Sequence, residues 1–279
     1  MHMNDLFSLE QKEIILTGAA GFFGVYFAKA LLGAGAGKVF LLDKDEERLV
    51  TLKQSLQKEF DKEKIVIQPI DQYNRIATSE ILKNLVEKDN ITVLINNSFD
   101  FSTGTGFNDE KGRIETATFD HIMRSFESGI YWPFQATQIL ANKLSAEKKK
   151  GTIINIGSMY SLVSPNPDLY KGRDYFNPPG YSMIKSAVLA LTRYTASFYG
   201  PYVRANALLP GAIPNIEHKS DNSEQNKDDE FMQRLIDRTL LKRVGHPTDL
   251  IGPIIFLASD ASSYMTGQGI VVDGGWVVT

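Results

Sequence analysis

The sequence predicts an α/β protein built on a parallel sheet, and three observations lead there. Apolar runs of strand length alternate with longer stretches of helical period, the pattern of repeated βαβ units. A glycine-spaced turn joins the first such run directly to the first helix. No internal repeat and no linker divides the 279 residues, so one domain over 1–279 with a sizeable core is expected.

The first strand, 14–16, breaks at Thr17-Gly18, and a helix over 22–32 is ended by the glycines at 33, 35 and 37. The second strand, 39–42, stops at Asp43. Further strands are expected at 65–67, 92–95, 152–156, 205–209 and 270–272. Helices fill the gaps, the clearest over 118–148, 181–199 and 248–258. The stretch 217–230 is strongly polar and precedes the helix-like 231–236. Loops at the carboxyl edge of such a sheet lie beside the ligand crevice, so 217–236 reads as a mobile substrate lid, with a disordered spacer as the alternative.

Composition removes several classes of function. Lys and Arg number 30 against 33 Asp and Glu, a net charge of −3, which is not the footprint of a nucleic-acid binder. Lys148-Lys149-Lys150 reads as a solvated helix end. The absence of cysteine excludes disulfides, thiolate catalysis and zinc–thiolate sites, and suits a reducing compartment. The 4 histidines form no metal-binding pair, so no metal is expected. No apolar run reaches the roughly 18 residues of a membrane span. Residues 1–6 lack the basic and apolar regions of a signal peptide, so a cytoplasmic protein with no membrane partner is expected.

Thr17 to Gly24 follows the first strand and opens the first helix, with glycines at 18, 21 and 24. Glycine lets a pyrophosphate approach the backbone, and the helix N-terminus offers it N–H groups. A plain tight turn is the alternative. Asp43 stands 43 − 24 = 19 residues past the last glycine, where a carboxylate can take the adenosine ribose hydroxyls. The two features together favour dinucleotide binding. Asp43 would repel a 2′-phosphate, so NAD is expected over NADP, with Lys44 softening the preference. Asp71 could accept from the adenine amino group, or serve as a helix N-cap before Asn74.

Ser158 ends the fifth strand, and Tyr181 and Lys185 open the next helix. Four residues turn a helix by about 400°, so these two side chains share a face. An ammonium beside a phenol favours the phenolate and is expected to lower the tyrosine pKa. Such a tyrosine can move a proton at a substrate oxygen that a strand-terminal serine orients, while a nicotinamide exchanges hydride.

These residues resemble the short-chain dehydrogenase/reductase family, over nearly the whole chain. Residues 17–24 are similar to its glycine motif and Leu94-Ile95-Asn96-Asn97-Ser98 to its Asn-Asn-Ala-Gly segment. Asn155-Ile156-Gly157-Ser158 resembles the serine segment, and Tyr181-Ser182-Met183-Ile184-Lys185 the active-site motif. Val203 through Gly211 resembles the segment that seats the nicotinamide, and 256–275 the ending of the family's compact branch. The resemblance implies a three-layer, doubly wound Rossmann-like domain of about seven parallel strands. It implies Tyr181 as acid/base, Lys185 on the nicotinamide ribose and Ser158 on the substrate oxygen. It implies cofactor contacts from Gly18, Gly21, Phe23, Gly24, Asp43, Asp71, Asn97, Tyr181, Lys185, Pro210, Gly211 and Ile213, and a homo-oligomer, tetramer or dimer.

Three departures stand out. The glycine spacing is that of the extended, sugar-nucleotide branch, with Phe22 where the compact branch has its middle glycine. Phe126 occupies the position of the relay asparagine, so the family's proton relay is expected to be rerouted or impaired. Ser158 and Tyr181 lie 181 − 158 = 23 residues apart, about ten more than usual in the family, which adds a segment at 165–179 with Tyr170, Lys171, Arg173, Asp174, Tyr175 and Asn177.

That insertion and the loop 98–116 are expected over the substrate crevice, as a polar wall suited to a hydroxyl-rich ligand. Solvated surface or a subunit contact is the alternative. The insertion resembles family members linked to bacterial surface-sugar and flagellin modification, which implies a sugar, amino-sugar or phospho-sugar as the small-molecule substrate. The expected activity is interconversion of a secondary alcohol and a ketone with NAD(P). An isomerase or dehydratase with retained NAD, and a non-catalytic NAD-binding regulator, stand as alternatives. Phe99, Phe101 and Phe107 read as loop anchors, Trp132-Pro133 as a kink or packing point near a subunit contact, and His121 and His246 as surface or cap residues.

Overall fold

The computed structural model describes residues 3–215 and 225–279. A short helix α1 (Met3–Phe7) leads into β1 (Glu13–Thr17), α2 (Phe22–Gly33), β2 (Lys38–Asp43), α3 (Glu46–Leu56) and β3 (Ile65–Pro69). Then come α4 (Arg75–Lys88), β4 (Ile91–Asn96), α5 (Phe119–Phe126), α6 (Trp132–Ala146) and β5 (Gly151–Ile156). The chain closes with α7 (Pro179–Tyr199), β6 (Val203–Pro210), α8 (Gln225–Arg238), α9 (Ile251–Ala258) and β7 (Gly269–Val272). Every strand pair is parallel, in the order β3-β2-β1-β4-β5-β6-β7. The expected strands are all present, and the fold is the Rossmann-like doubly wound sheet. Strand order reverses between β1 and β4, and a crevice opens outside the carboxyl ends at such a switch point.

Alternate residues of each strand feed opposite faces. Ile14 and Leu16 join Phe27, Leu31, Leu49 and Leu257 under α2, α3 and α9. Ile15 joins Phe40, Leu82, Leu140 and Leu144 under α4 and α6. Burial on both faces explains why these strands read as unbroken apolar runs.

The expected helix over 118–148 is two helices, α5 and α6, joined by a π turn at Glu127–Tyr131. Pro133 has no N–H to give to the carbonyl four residues back, so the ladder widens just before it. Asp71 is not the cap of α4. Asn74 is, accepting from the Ala77 amide at 3.2 Å, while Asp71 accepts from Tyr73 N at 3.1 Å. His121 and His246 both sit in capping boxes. Of the expected lid, 217–224 lies outside the described residues, and 225–236 belongs to α8. Among the described residues no helix is long and apolar enough to cross a membrane.

Candidate active site

A cavity of about 870 Å³ lies along the carboxyl edge of the sheet, from the end of β2 to the segment after β6. Its floor at one end is the glycine turn. Gly18 adopts φ +63°, and a Cβ there would come within 3.0 Å of the Ser98 backbone. Asn97 clips the turn to β4, its Nδ2 donating to Gly18 O at 2.9 Å. Thr17 Oγ1 accepts from the amides of Asn97 and Ser98 at 3.1 and 3.2 Å, a second clip that the sequence reading missed. Gly21 caps α2 without a side-chain hydrogen bond, so the first amides of that helix stay open to an anion. Gly24 does not line the cavity. It lies beneath it, where a Cβ would meet Gly18 O at 2.2 Å.

Asp43 reaches back to the same turn. One carboxylate oxygen accepts from Ala20 N at 3.0 Å and the other from Asp45 N at 3.2 Å. Phe23, Asp71, Asn97, Pro210, Gly211 and Ile213 also line the cavity, as do Lys44 and, unpredicted, Arg48. Open amides, a glycine cradle and a carboxylate at the far strand end form a donor set that fits a dinucleotide.

At the other end, Ser158, Tyr181 and Lys185 come together. A buried network sets α7 against the sheet: Asn96 Nδ2 donates to Asn155 Oδ1 at 2.8 Å, and Asn155 Nδ2 to Thr192 Oγ1 at 2.9 Å. Ser161 Oγ adds a bond to Lys185 O at 2.7 Å. Lys185 Nζ donates to Ile156 O at 2.8 Å and lies 5.5 Å from the centre of the Tyr181 ring, as one helix face requires.

The electrostatics correct one expectation. Tyr181 is pushed up to about 12, because burial outweighs the hydrogen bond with Ser158 that pulls it back. Burial also brings Lys185 down to about 7. The amine therefore does not lower the phenol in this protein. A desolvated ammonium is itself disfavoured, and the same dry surroundings penalise the phenolate.

Those surroundings are the second correction. Phe99, Phe101 and Phe107 do not merely anchor their loop: their ring centres lie 5.3, 6.0 and 5.2 Å from that of Tyr181, with Tyr160 at 6.4 Å on another side. The loop is held by Asp100, which accepts from Tyr73 Oη at 2.6 Å, Arg124 Nε at 2.7 Å and Ser102 N at 2.9 Å. Burial alone would raise that carboxyl, but the Tyr73 and Arg124 bonds bring it down to about 2. The insertion likewise turns its aromatics inward. Tyr170 packs on Phe176 and on Phe231 of α8, at 4.8 and 5.4 Å. Arg234 of α8 donates to the carbonyls of Leu169 and Lys171. Of the wall expected to be polar, no residue of 165–179 lines the cavity, and the loop lines it with Phe99 and Phe101 beside Ser98, Asp100 and Asn108. The signal in the sequence was the close spacing of Phe99, Phe101 and Phe107 after a strand end. Phe126 is 48% exposed and does not line the cavity, whereas Trp132 does, edge-on to Tyr73 at 4.8 Å.

The family model described as enoyl-(acyl carrier protein) reductase matches residues 18–277. The chain is 36% identical to an L-rhamnose 1-dehydrogenase (NAD(P)(+)) of Azotobacter vinelandii over 54% of this chain and 53% of that one, so it spans about half the length of that relative. It is 29% identical to a 2-dehydro-3-deoxy-D-gluconate 5-dehydrogenase of Escherichia coli over 97% of each chain. A post-translational flagellin modification protein A of Campylobacter coli is 27% identical over 96% of this chain and 99% of that one. Among solved structures, a gluconate 5-dehydrogenase of Burkholderia cenocepacia in complex with NADP and tartrate superposes with a TM-score of 0.83 at 25% identity, over 100% of both chains. The glycine cradle, the shared face of Tyr181 and Lys185 and this full-length likeness agree, and the chain belongs to the short-chain dehydrogenase/reductase family.

Proposed function

We propose that the protein is an NAD(P)-dependent oxidoreductase that interconverts a secondary alcohol and a ketone on a sugar-like substrate. The observation that carries this reading is the meeting of Ser158, Tyr181 and Lys185 in the cavity whose other end is the glycine cradle. NAD(P) bound there supplies or accepts the hydride. Gly18, Gly21, Asn97 and the α2 amides hold its pyrophosphate, with Phe23 and Gly24 shaping the turn, Asp43 and Asp71 facing the adenosine and Pro210, Gly211 and Ile213 the nicotinamide. Asp43 favours the unphosphorylated ribose, and so NAD over NADP.

Tyr181 moves the proton at the substrate oxygen, and Ser158 orients that oxygen. The high pKa of Tyr181 keeps the phenol protonated near neutrality, ready to donate in reduction. Oxidation needs the phenolate, so its rate rises with pH. The rhamnose and gluconate dehydrogenases among the relatives support the sugar-like substrate. The chain acts as one domain over 1–279, in the cytoplasm, and as a homo-oligomer; exposed Phe119, Met123, Phe134, Tyr194 and Phe198 on α5, α6 and α7 suit subunit contact.

Tyr181→Phe tests the reading. Turnover falls by at least ~100-fold while NAD binding, followed by titration, stays within about twofold. Unchanged turnover would remove Tyr181 from the chemistry. Product formed without net change in nicotinamide absorbance would favour the retained-cofactor isomerase instead.

A further inference from the structure

The substrate end of the cavity has a distinctive balance of charge and aromatic surface. Phe101 lines it and is 59% exposed, although its ring packs on those of Phe99, Phe107 and Tyr181 at 4.8, 5.1 and 6.0 Å, so part of the phenyl surface stays open. The polar lining there, Ser98, Asn108 and Asn215, is neutral. Among the described residues three cations line the cavity: Lys44, Arg48 and Lys185. The first two follow β2, three strands from β5 and Ser158, which is roughly 14 Å across the sheet. Lys185 is 6% exposed and bonded to Ile156 O beneath Tyr181. Asp100 also lines this wall, but its carboxylate is paired with Arg124. Arg124 does not line the cavity, and it is occupied by Asp100 and by the Tyr73 ring 4.3 Å beneath its guanidinium.

An anionic group entering here would shed water against phenyl rings, and among the described residues the cation lining this end is Lys185, buried and already bonded to Ile156 O, so little replaces the lost hydration. Neutral hydroxyls lose far less, since Ser98 and Asn108 can pair with them. The C–H face of a sugar ring gains dispersion contact on a phenyl face. Resting on the oxidoreductase reading above, we propose that the substrate is an uncharged polyhydroxylated ring, a neutral sugar or deoxysugar, that lays one C–H face on Phe101, and that sugar acids and sugar phosphates are rejected.

Purified protein with NAD and with NADP is assayed on L-rhamnose, L-sorbose, D-gluconate, D-glucose 6-phosphate and, in reduction, cyclohexanone. The expected result is kcat/KM for a neutral sugar at least ~100-fold above both anions. Phe101→Ala should raise KM for that sugar about tenfold with kcat within about threefold, and Phe101→Trp should restore it. Saturation transfer from aromatic protons to the sugar C–H protons should vanish in Phe101→Ala while NAD titration is unchanged. Asn108→Arg should raise kcat/KM for D-gluconate about tenfold by supplying the missing cation. Equal or better turnover of either anion overturns the neutral-substrate inference and leaves the sugar oxidoreductase standing. Turnover of cyclohexanone alone, or of no sugar at all, overturns both.

Discussion

The two ends of the cavity are made of different material. The cofactor end is main chain: the Gly18 turn, the α2 amides and a carboxylate that itself bonds the turn at Ala20 N. The substrate end is side chain: rings from 99–107 and from Tyr160 pack around Tyr181, while Tyr170 of the insertion packs on Phe231 of α8. A main-chain site is bound to the path of the strands and tolerates little variation. A side-chain wall can be rebuilt residue by residue without moving the sheet, which is how one fold serves many substrates.

The largest expected effect tests whether the substrate end is as dry as its aromatic lining implies. Lys185 ionises near 7 in the folded chain and near 10.5 when exposed. Between these values the unfolded chain holds a proton that the folded one lacks, so stability from this residue grows as pH rises and is lost as pH falls through 7. In urea titrations, wild type should gain about 3–5 kcal/mol relative to Lys185→Met from pH 7 to pH 10. A flat difference would mean water reaches the amine, and the contrast between the ends would fail.

A smaller effect asks whether the ends are mechanically separate. Asp100→Ala strips Tyr73 and Arg124 of their shared acceptor, at a cost of about 2–3 kcal/mol given that Arg124 is partly exposed. Because the folded carboxyl ionises near 2, the wild-type advantage is full above about pH 4 and fades toward pH 2. Substrate KM should rise with the loosened phenylalanines, while NAD affinity should hold within about twofold. An equal loss of NAD affinity would show one coupled site.

The same contrast explains what was legible in the sequence. All seven strands and the cofactor cradle followed from local signals: apolar runs, glycines at 18, 21 and 24, and Asp43 at a strand end. The shared face of Tyr181 and Lys185 needed only helical period. The inverted pKa pattern was not legible, because it depends on Phe99, Phe101 and Phe107 folding back on Tyr181 from a loop 74 to 82 residues earlier in the chain. Nor was the packing of Tyr170 on Phe176 and Phe231, since polar neighbours such as Lys171 and Asp174 made the insertion read as a polar wall. The π turn before Pro133 was hidden for a different reason, since Trp132-Pro133 suggested a kink but not its form.

The smallest effect probes the cofactor end alone. Asp43 accepts from two backbone amides, and Lys44 and Arg48 line the same cavity, so its charge and its hydrogen bonds to the turn can be separated. Asp43→Asn keeps an oxygen for Ala20 N and removes the negative charge that a 2′-phosphate would meet. With Lys44 and Arg48 then unopposed, the ratio of kcat/KM for NADP over NAD should rise about tenfold, which is ~1.4 kcal/mol, with little change in Tm. If the ratio moves and Tm stays, Asp43 selects the cofactor by charge. If Tm falls and the ratio stays, its work is to hold the glycine turn, and it does not select between the cofactors.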